Sequence, residues 1–144
     1  MPISEQQKAE ALGQVPLFRG ISAESLSRLA AVAGEQQFRA GDYIVRQGQL
    51  GTGLYIILEG SARVVRGGEE LATLGRGDFF GELSVIDQQP RLASVQAAQE
   101  MTCLALASWD LLELLKSDSA LALNLISGLA RRLRSAGEQH HHRD

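Results

Sequence analysis

Residues 36–82 read QQFRAGDYIVRQGQLGTGLYIILEGSARVVRGGEELATLGRGDFFGE, a series of short apolar runs separated by glycines. The runs YIVRQ, LYIILEG, SARVVRG and ELATLG are rich in β-branched or aromatic residues. Many short strands at close spacing are typical of a β-sandwich or barrel. Glycine favours the tight turns that join neighbouring strands, so Glu59-Gly60 and Gly67-Gly68 are predicted to be the tips of two hairpins.

Helical patterns flank this β region on both sides. Before it, residues 4–13 are predicted to form a helix capped by Ser4. SAESLSRLAAVAG is predicted to form a second helix, which Ser22 and Ser25 can cap and Gly34 ends. After it, SWDLLELLKS is predicted to form a helix capped by Ser108, with Trp109, Leu112 and Leu115 on its apolar face. A longer helix follows from Asp118 to about Ala136, with Gly137 as its stop. The resulting fold class is α+β.

The chain length of 144 residues suits one domain. We expect N-terminal helices in residues 1–34, a β-roll in 35–107, C-terminal helices in 108–137 and a polar tail in 138–144. No internal repeat and no low-complexity linker divides the chain. The predicted organisation is therefore a single domain over residues 1–144.

Composition limits the function classes. The net charge of −3 would not attract nucleic acid or an anionic membrane, and no apolar run approaches a membrane span. The single cysteine, Cys103, and the absence of a signal-peptide core favour a reducing cytoplasm. All three histidines lie at 140–142, so the body has no histidine for a catalytic base or a metal site. The HHH tract itself is a solvated tail, a weak metal-binding tract or the remnant of a tag.

The stretch FFGELSVIDQQPRLASV, residues 79–95, has the residue types of an anion site. A helical turn from Glu82 that follows Gly81 would expose free N–H groups, and Arg91 could contact a phosphate with two donors. Glu82 would repel a phosphate, so its carboxylate is better placed to bind a sugar hydroxyl. The pattern indicates a phosphate with a sugar attached. The alternative is a plain Glu82–Arg91 salt bridge between turns.

The same stretch resembles the phosphate-binding cassette of the cyclic nucleotide-binding domain family. FRAGDYIVRQGQLGTGLYIILEGSARV resembles the first strands of that family, and the spacing of nine residues from Glu82 to Arg91 matches its kinase-subunit pattern. The resemblance runs from about Val15 to Leu133. It implies a double-stranded β-helix, a jelly-roll β-sandwich of about eight strands. It also implies a sensor of cyclic nucleotides rather than an enzyme, with a nucleotide ligand and no cofactor.

The resemblance implies a role for each site residue. The backbone of the cassette would meet the cyclic phosphate, Glu82 the ribose 2′-OH, and Arg91 the phosphate, with the Leu92 backbone beside it. The last helix would cover the base. Arg132 or Arg131 could stack on the base, and the alternative is that the RRLR run is a solvated face with charges that match the helix C-terminus. The backbone groups that would meet the phosphate are those of Gly81, Glu82, Leu83 and Ser84. The apolar walls near base and sugar would be Val64, Leu74 and Val95.

Departures from the family pattern leave several alternatives open. Leu92 lacks the hydroxyl that often marks a preference for cGMP, which favours cAMP. Ala136 and Gly137 stand where the catabolite activator has base-contacting Thr and Ser. The chain ends at Asp144, before any helix-turn-helix, so a stand-alone sensor acting on a partner protein is expected. A ligand-free scaffold or dimerisation module, or the sensor half of a DNA-binding regulator, are the alternatives. A homodimer through the last helix would use an apolar stripe formed by Ile126, Leu129, Leu133 and Ala136.

Overall fold

The structure is a computed structural model that describes residues 3–49, 53–81 and 90–141, with side chains described as far as Ser135. Two antiparallel four-stranded sheets form a β-roll within these residues. The strands are β1 (Gly34–Phe38), β2 (Tyr43–Val45), β3 (Gly53–Glu59), β4 (Ala62–Arg66), β5 (Glu69–Leu74), β6 (Phe79–Phe80), β7 (Ser94–Ala97) and β8 (Met101–Ala107).

The first sheet has the strand order β1-β8-β3-β6, and the second has the order β2-β7-β4-β5. Apolar clusters pack on both sides of the first sheet, which we call the covered sheet. The second sheet has most of its outer side chains in solvent, and we call it the open sheet. The order, in which strands distant along the chain lie side by side, confirms the predicted jelly-roll sandwich.

One predicted hairpin is present and the other is not. Strands β4 and β5 pair directly around Gly67 and Gly68, whose φ angles of 59° and 83° suit a tight hairpin turn. The predicted hairpin at Glu59-Gly60 is wrong, because β3 pairs with β6 and β8 while β4 lies in the other sheet. The chain crosses between sheets at Gly60. The cause is the apolar character of both faces of β3, which favours a central position in the covered sheet.

Four α-helices surround the roll within the described residues. Helices α1 and α2 begin as predicted: Ser4 accepts a hydrogen bond from Gln7 N in a capping box, and Ser22 accepts one from Ser25 N. A short 3₁₀ turn at Pro16–Phe18 lies between these two helices. The helices are α1 (Glu5–Gly13), α2 (Ala23–Val32), α3 (Ser108–Ser117) and α4 (Ser119–His141).

The predicted helix ends need three corrections. Gly34 is the first residue of β1 rather than a helix stop. Ser108 lies inside α3, and the N-cap residue Ala107 has no side-chain hydrogen bond to offer. Gly137 does not end α4, which continues to His141. A single glycine weakens a helix by about 1 kcal/mol without breaking it, so the polar tail can extend the helix.

The apolar faces of the last two helices also differ from prediction. In α3 the buried side chains are Leu111 and Leu114, the predicted Leu112 and Leu115 are partly buried, and Trp109 is 69% exposed. In α4 the buried side chains are Leu121 and Leu125, and Leu129 packs partly against the same cluster. The helices lie on the covered sheet, and their packing against it determines which side chains are buried. No helix in the described ranges is long and apolar enough to cross a bilayer.

Two apolar clusters form the core. The helix-side cluster joins the helices to the outer face of the covered sheet through Leu54, Ile56 and Leu104. The roll-interior cluster lies between the sheets and includes Ile57 and Cys103. Burial raises the pKa of the Cys103 thiol to about 12, so this cysteine stays protonated and inert in the folded protein.

Candidate functional site

Strand β6 joins the two clusters through successive side chains. Adjacent residues of a strand point to opposite faces, so Phe79 packs in the helix-side cluster and Phe80 in the roll interior. The Phe80 ring stacks on the Tyr55 ring with centroids 5.3 Å apart and an angle of 13° between the planes. Both phenylalanines are buried, which holds the strand that leads into Gly81 firmly in place.

Gly81 occupies a position that no other residue would fit without strain. Its φ angle is +95°, which L side chains rarely adopt. A Cβ built there would lie 2.6 Å from Nη1 of Arg91 and 2.7 Å from the carbonyl oxygen of Gly53. The fold therefore brings the predicted Gly81 and Arg91 into contact, and the glycine permits that close approach.

Arg91 is nearly buried, with 9% of its surface exposed. Its Nη2 donates to the Gly53 carbonyl at 3.4 Å. Its backbone is held on both sides, since Arg91 N donates to Gln49 O at 2.8 Å and Gly48 N donates to Arg91 O at 2.8 Å. A guanidinium in such surroundings is kept in one orientation and strongly favours an anion as neighbour.

The predicted apolar wall residues share the roll interior with Phe80. Val64 pairs with Val95 across the β4–β7 ladder, and Leu74 pairs with Ala62 across the β4–β5 ladder. Val95 is buried, while Val64 and Leu74 are partly buried and pack against the same cluster. The inner face of the open sheet thus presents apolar side chains, and one of them, Val95 of β7, lies four residues after Arg91. Their contact with a base or a sugar stays a prediction.

The remaining predicted residues fall in three places. Glu82, Leu83 and Ser84 lie outside the described residues. Leu92 is 64% exposed. Arg132 lies on Phe79, with its Cζ 4.4 Å from the ring centroid, and it donates to the Phe79 carbonyl.

Sequence reasoning did not identify Gly53 or Tyr55 as parts of this region. The Gly53 carbonyl contacts Arg91, and Tyr55 supports Phe80 from the neighbouring strand. A backbone carbonyl has no signature in a sequence, since every residue has one. Tyr55 lies in the apolar run LYIILEG, where its ring could only be counted as core.

A separate groove of about 640 Å³ lies between α1 and the strands β1 and β3. Its walls include Gln7, Glu35, Gln37, Glu59 and Arg76, and none of the predicted site residues. Within the described part of the chain, no group of three or more His, Cys, Asp and Glu side chains is placed to hold a metal ion.

Comparison with known proteins decides the family. The sequence model of the cyclic nucleotide-binding domain matches residues 35–118, which run from the second residue of β1 through β8 and include all of α3. This chain belongs to the cyclic nucleotide-binding domain family. Members of the family are regulatory sensor domains rather than catalytic ones, in agreement with the prediction that the chain is not an enzyme.

Similar proteins include a bacterial receptor and a kinase regulatory domain. The chain is 39% identical over 126 residues to the cyclic AMP receptor protein of Thermus thermophilus, an alignment that covers 84% of this chain and 58% of that protein. The crystal structure of the Thermus thermophilus catabolite activator protein matches with a TM-score of 0.77 and 37% identity, over 88% of this chain and 62% of that one.

The regulatory domain of Toxoplasma gondii PKA, crystallised with cAMP, matches with a TM-score of 0.78 and 30% identity, over 89% of this chain and 50% of that chain. In each of these comparisons the cyclic nucleotide-binding domain described here spans less than two thirds of the relative's length. The similarity therefore concerns the sensor domain of the relatives and not their remaining parts.

Proposed function

We propose that this cyclic nucleotide-binding domain is a receptor for cAMP in preference to cGMP. The observation that carries the proposal is the contact between Gly81 and Arg91. A nearly buried, backbone-anchored guanidinium meets a positive-φ glycine at the end of β6. A cyclic phosphate at this place would accept hydrogen bonds from Arg91 and from backbone N–H groups of the cassette. The relatives named for cAMP support the choice of ligand.

The preference for cAMP rests on Leu92, which follows Arg91 and has no hydroxyl to offer a guanine. Val64, Leu74 and Val95 would form the apolar wall near base and sugar, and Glu82 would accept from the ribose 2′-OH. Ligand binding would change the position of α4 and so alter the surface that a partner protein meets. Such a change requires that cAMP bind one helix position more tightly than the other.

Thermal unfolding with cAMP, with cGMP and without nucleotide tests the receptor. At about 100 times its dissociation constant a ligand adds about 2.7 kcal/mol to stability, which for this chain length is a shift of about 5–10 °C. We expect that shift with cAMP, a smaller one with cGMP at equal concentration, and none with either nucleotide in Arg91→Ala.

Arg66→Ala is the matched control, because it removes the same charge from the exposed end of β4. The ligand-induced shift, and not the midpoint itself, is the quantity compared, since Arg91→Ala also alters a buried site. Nucleotide-free protein that shows no shift at millimolar cAMP or cGMP would contradict the receptor. The fold would then be serving as a scaffold or as a sensor of another phosphate-bearing ligand.

We also propose that the last helix forms a homodimer contact. Leu123, Ile126 and Leu133 of α4 are 63%, 61% and 75% exposed, and they lie three and seven residues apart on one side of the helix. Leu129, which was predicted to share this stripe, packs against the helix-side cluster instead. Large apolar side chains that repeat at helical spacing and face solvent favour a helix partner.

Sedimentation velocity of wild type and of Ile126→Lys with Leu133→Lys tests the dimer. We expect the wild type to sediment as a dimer at micromolar concentration and the double variant as a folded monomer whose melting temperature does not depend on protein concentration. Arg134→Glu is the control for a charge change on the same helix. A monomeric wild type would remove the dimer from the proposal without affecting the nucleotide site.

A further inference from the structure

Helix α4 is fastened to the roll at successive points along its length. Near its start, Leu121 and Leu125 are buried in the helix-side cluster. Asn124 donates to the carbonyls of Leu17 and Arg19 at 3.0 Å and 2.6 Å. These contacts tie the first two turns to the N-terminal segment. The two Asn124 hydrogen bonds go to Leu17 and Arg19 and not to β6, so they hold the start of the helix independently of that strand.

The next turns of α4 meet Phe79. A Cβ built on Gly128 would lie 3.2 Å from Cζ of Phe79, so the absence of a side chain at 128 lets the helix backbone approach the ring. One turn later, the Arg132 guanidinium lies over the same ring at 4.4 Å and donates to the Phe79 carbonyl. The described side chains that follow, from Leu133 to Ser135, are exposed.

The position of Phe79 makes this contact informative. Strand β6 lies at the edge of the covered sheet as described, and it pairs with β3 through Phe79 and Phe80. Arg132 therefore supplies a hydrogen bond to a strand that has a ladder partner on only one side in the described structure. Two residues after Phe79 the chain reaches Gly81, which touches Arg91. An extended strand transmits a shift at one of these residues to the other.

We propose that Arg132 is a positioning residue that links the last helix to the nucleotide site through Phe79. Its guanidinium holds α4 against β6, with the ring and the carbonyl of Phe79 as two points of attachment. A ligand at Gly81 and Arg91 that shifts β6 thereby shifts α4. The part of this proposal that concerns ligand rests on the proposed function, and the part that concerns the attachment of α4 does not.

This role differs from the sequence-based expectation that Arg132 stacks on the nucleotide base, which stays a prediction. An arginine stacked on an aromatic ring and bonded to a carbonyl uses both its flat face and its donors. Lysine would keep the charge and lose the planar fork, so it is not an equivalent residue here. Gly128 has a matching role, because it admits Phe79 to the helix surface.

Amide hydrogen exchange in ligand-free protein tests the attachment. We expect Arg132→Gln to raise the exchange rates of the α4 amides between Leu125 and Leu133 by about fivefold to tenfold, because a cation–π contact and a charged hydrogen bond are lost. Arg132→Lys should give an intermediate increase. Arg134→Gln removes the same charge from an exposed position two residues away and should leave the rates unchanged. Equal rates in Arg132→Gln and wild type would overturn the proposal.

Repeating the Arg132→Gln change in a Phe79→Leu variant shows whether its effect comes from the contact with Phe79 or from a general loss of helix stability. In Phe79→Leu the ring is absent, so a further Arg132→Gln change should have less than about half of its effect in the wild-type background. If the effects of Arg132→Gln and Phe79→Leu on the exchange rates were fully additive, the proposed pairing of Arg132 with Phe79 would be wrong. If Phe79→Leu does not fold, Gly128→Ala replaces it. The added methyl group would lie 3.2 Å from the Phe79 ring, so the ring or the helix must shift by a few tenths of an ångström, and this should likewise weaken the effect of Arg132→Gln.

Exchange measured with and without saturating cAMP tests the link to the site. We expect cAMP to change α4 exchange in wild type and in Arg134→Gln, and to leave α4 exchange unchanged in Arg132→Gln that still binds cAMP in a calorimeter. A full α4 response in Arg132→Gln would overturn the link. If wild type binds no cAMP, the proposed function fails, while the ligand-free experiment still decides the attachment.

Discussion

Strand β3 of the covered sheet reads GLYIILE and strand β5 of the open sheet reads EELATL, and their surroundings differ as much as their sequences. All of β3 except Glu59 is buried or partly buried, because helices pack on one face and the roll interior on the other. Nearly all of β5 is exposed, because it is an edge strand in described residues whose outer face meets solvent. Continuous apolar character therefore marks the sheet that carries the core.

The candidate site uses both sheets. Gly81 follows β6 of the covered sheet, and Arg91 lies before β7 of the open sheet. The contact between Gly81 and Arg91 thus joins the more buried covered sheet to the more solvent-exposed open sheet. We expect substitutions on the covered sheet to change global stability, and substitutions at the meeting point to change ligand binding as well. The predictions below test this division, beginning with the largest effect.

The largest effect should come from the centre of the covered sheet. Leu104→Ala removes a fully buried side chain of β8 and should lower the free energy of unfolding by about 3 kcal/mol, within the usual range of 2–5 kcal/mol. Leu71→Ala on β5, where the side chain is 38% exposed, should cost about 0.5 kcal/mol or less. Urea unfolding measures both. Costs that agree within 0.5 kcal/mol would mean that the two sheets contribute alike.

A pair of glycines tests the meeting point of the sheets. A Cβ at position 48 would meet no atom within 4 Å. Gly48→Ala should therefore lower the free energy of unfolding only by the strain of the φ angle of +83°, about 1 kcal/mol. Gly81→Ala has the same kind of strain and in addition collides with Arg91 and Gly53, so we expect about 2–3 kcal/mol and loss of the cAMP-induced shift. Urea unfolding and thermal shifts check this. A Gly81→Ala protein as stable and as responsive as Gly48→Ala would show that the contact is loose.

A smaller effect is expected at Asp118, in the helical layer over the covered sheet. Its carboxylate accepts from Leu121 N at 3.2 Å and from Ser22 N at 3.5 Å, and so caps α4 and holds α2 beside it. A hydrogen bond from Ser25 is the main cause that lowers the pKa of Asp118. Asp118→Ala should cost about 1 kcal/mol at pH 7.

The pH dependence of that cost follows from the lowered pKa. The stabilisation is fully present above the unfolded-state pKa of about 3.9 and is lost as pH falls through the lower folded-state pKa. The difference in free energy of unfolding between wild type and Asp118→Ala should therefore become smaller below about pH 4. Asp118→Asn keeps a capping oxygen and should stay near wild type at pH 7 while removing this part of the acid dependence. A gap that stays constant down to pH 2 would contradict a charged cap.

Local patterns in the sequence were sufficient for much of the fold. Ser4 and Ser22 were predicted as caps from their own neighbours, and Gly67-Gly68 as a hairpin tip, because each depends on contacts within a few residues. Glu59-Gly60 failed as a hairpin because its outcome depends on which distant strand pairs with β3. Trp109 was assigned to a buried face because helical spacing does not specify which stripe meets the sheet.

The candidate site divides in the same way. The spacing from Glu82 to Arg91 and the strands around it were enough to indicate the cyclic nucleotide-binding family. The contact of Gly81 with Arg91 and the Gly53 carbonyl required a third segment, which arrives only when β3 takes its place in the sheet. The contact of Arg132 with Phe79 likewise depended on the packing of α4, while the stacking of Arg132 on a base stays a prediction.

The sequence by itself determined the class of fold, the family and the residue types of the site, because strand lengths, caps and motif spacing are properties of short segments. The tertiary structure alone decided which face of α4 is buried, which carbonyl meets Arg91, and which ring Arg132 covers. These outcomes depend on side chains that are far apart in the sequence and compete for the same surface of the roll. Packing resolves that competition only when the two sheets and the helices are assembled together.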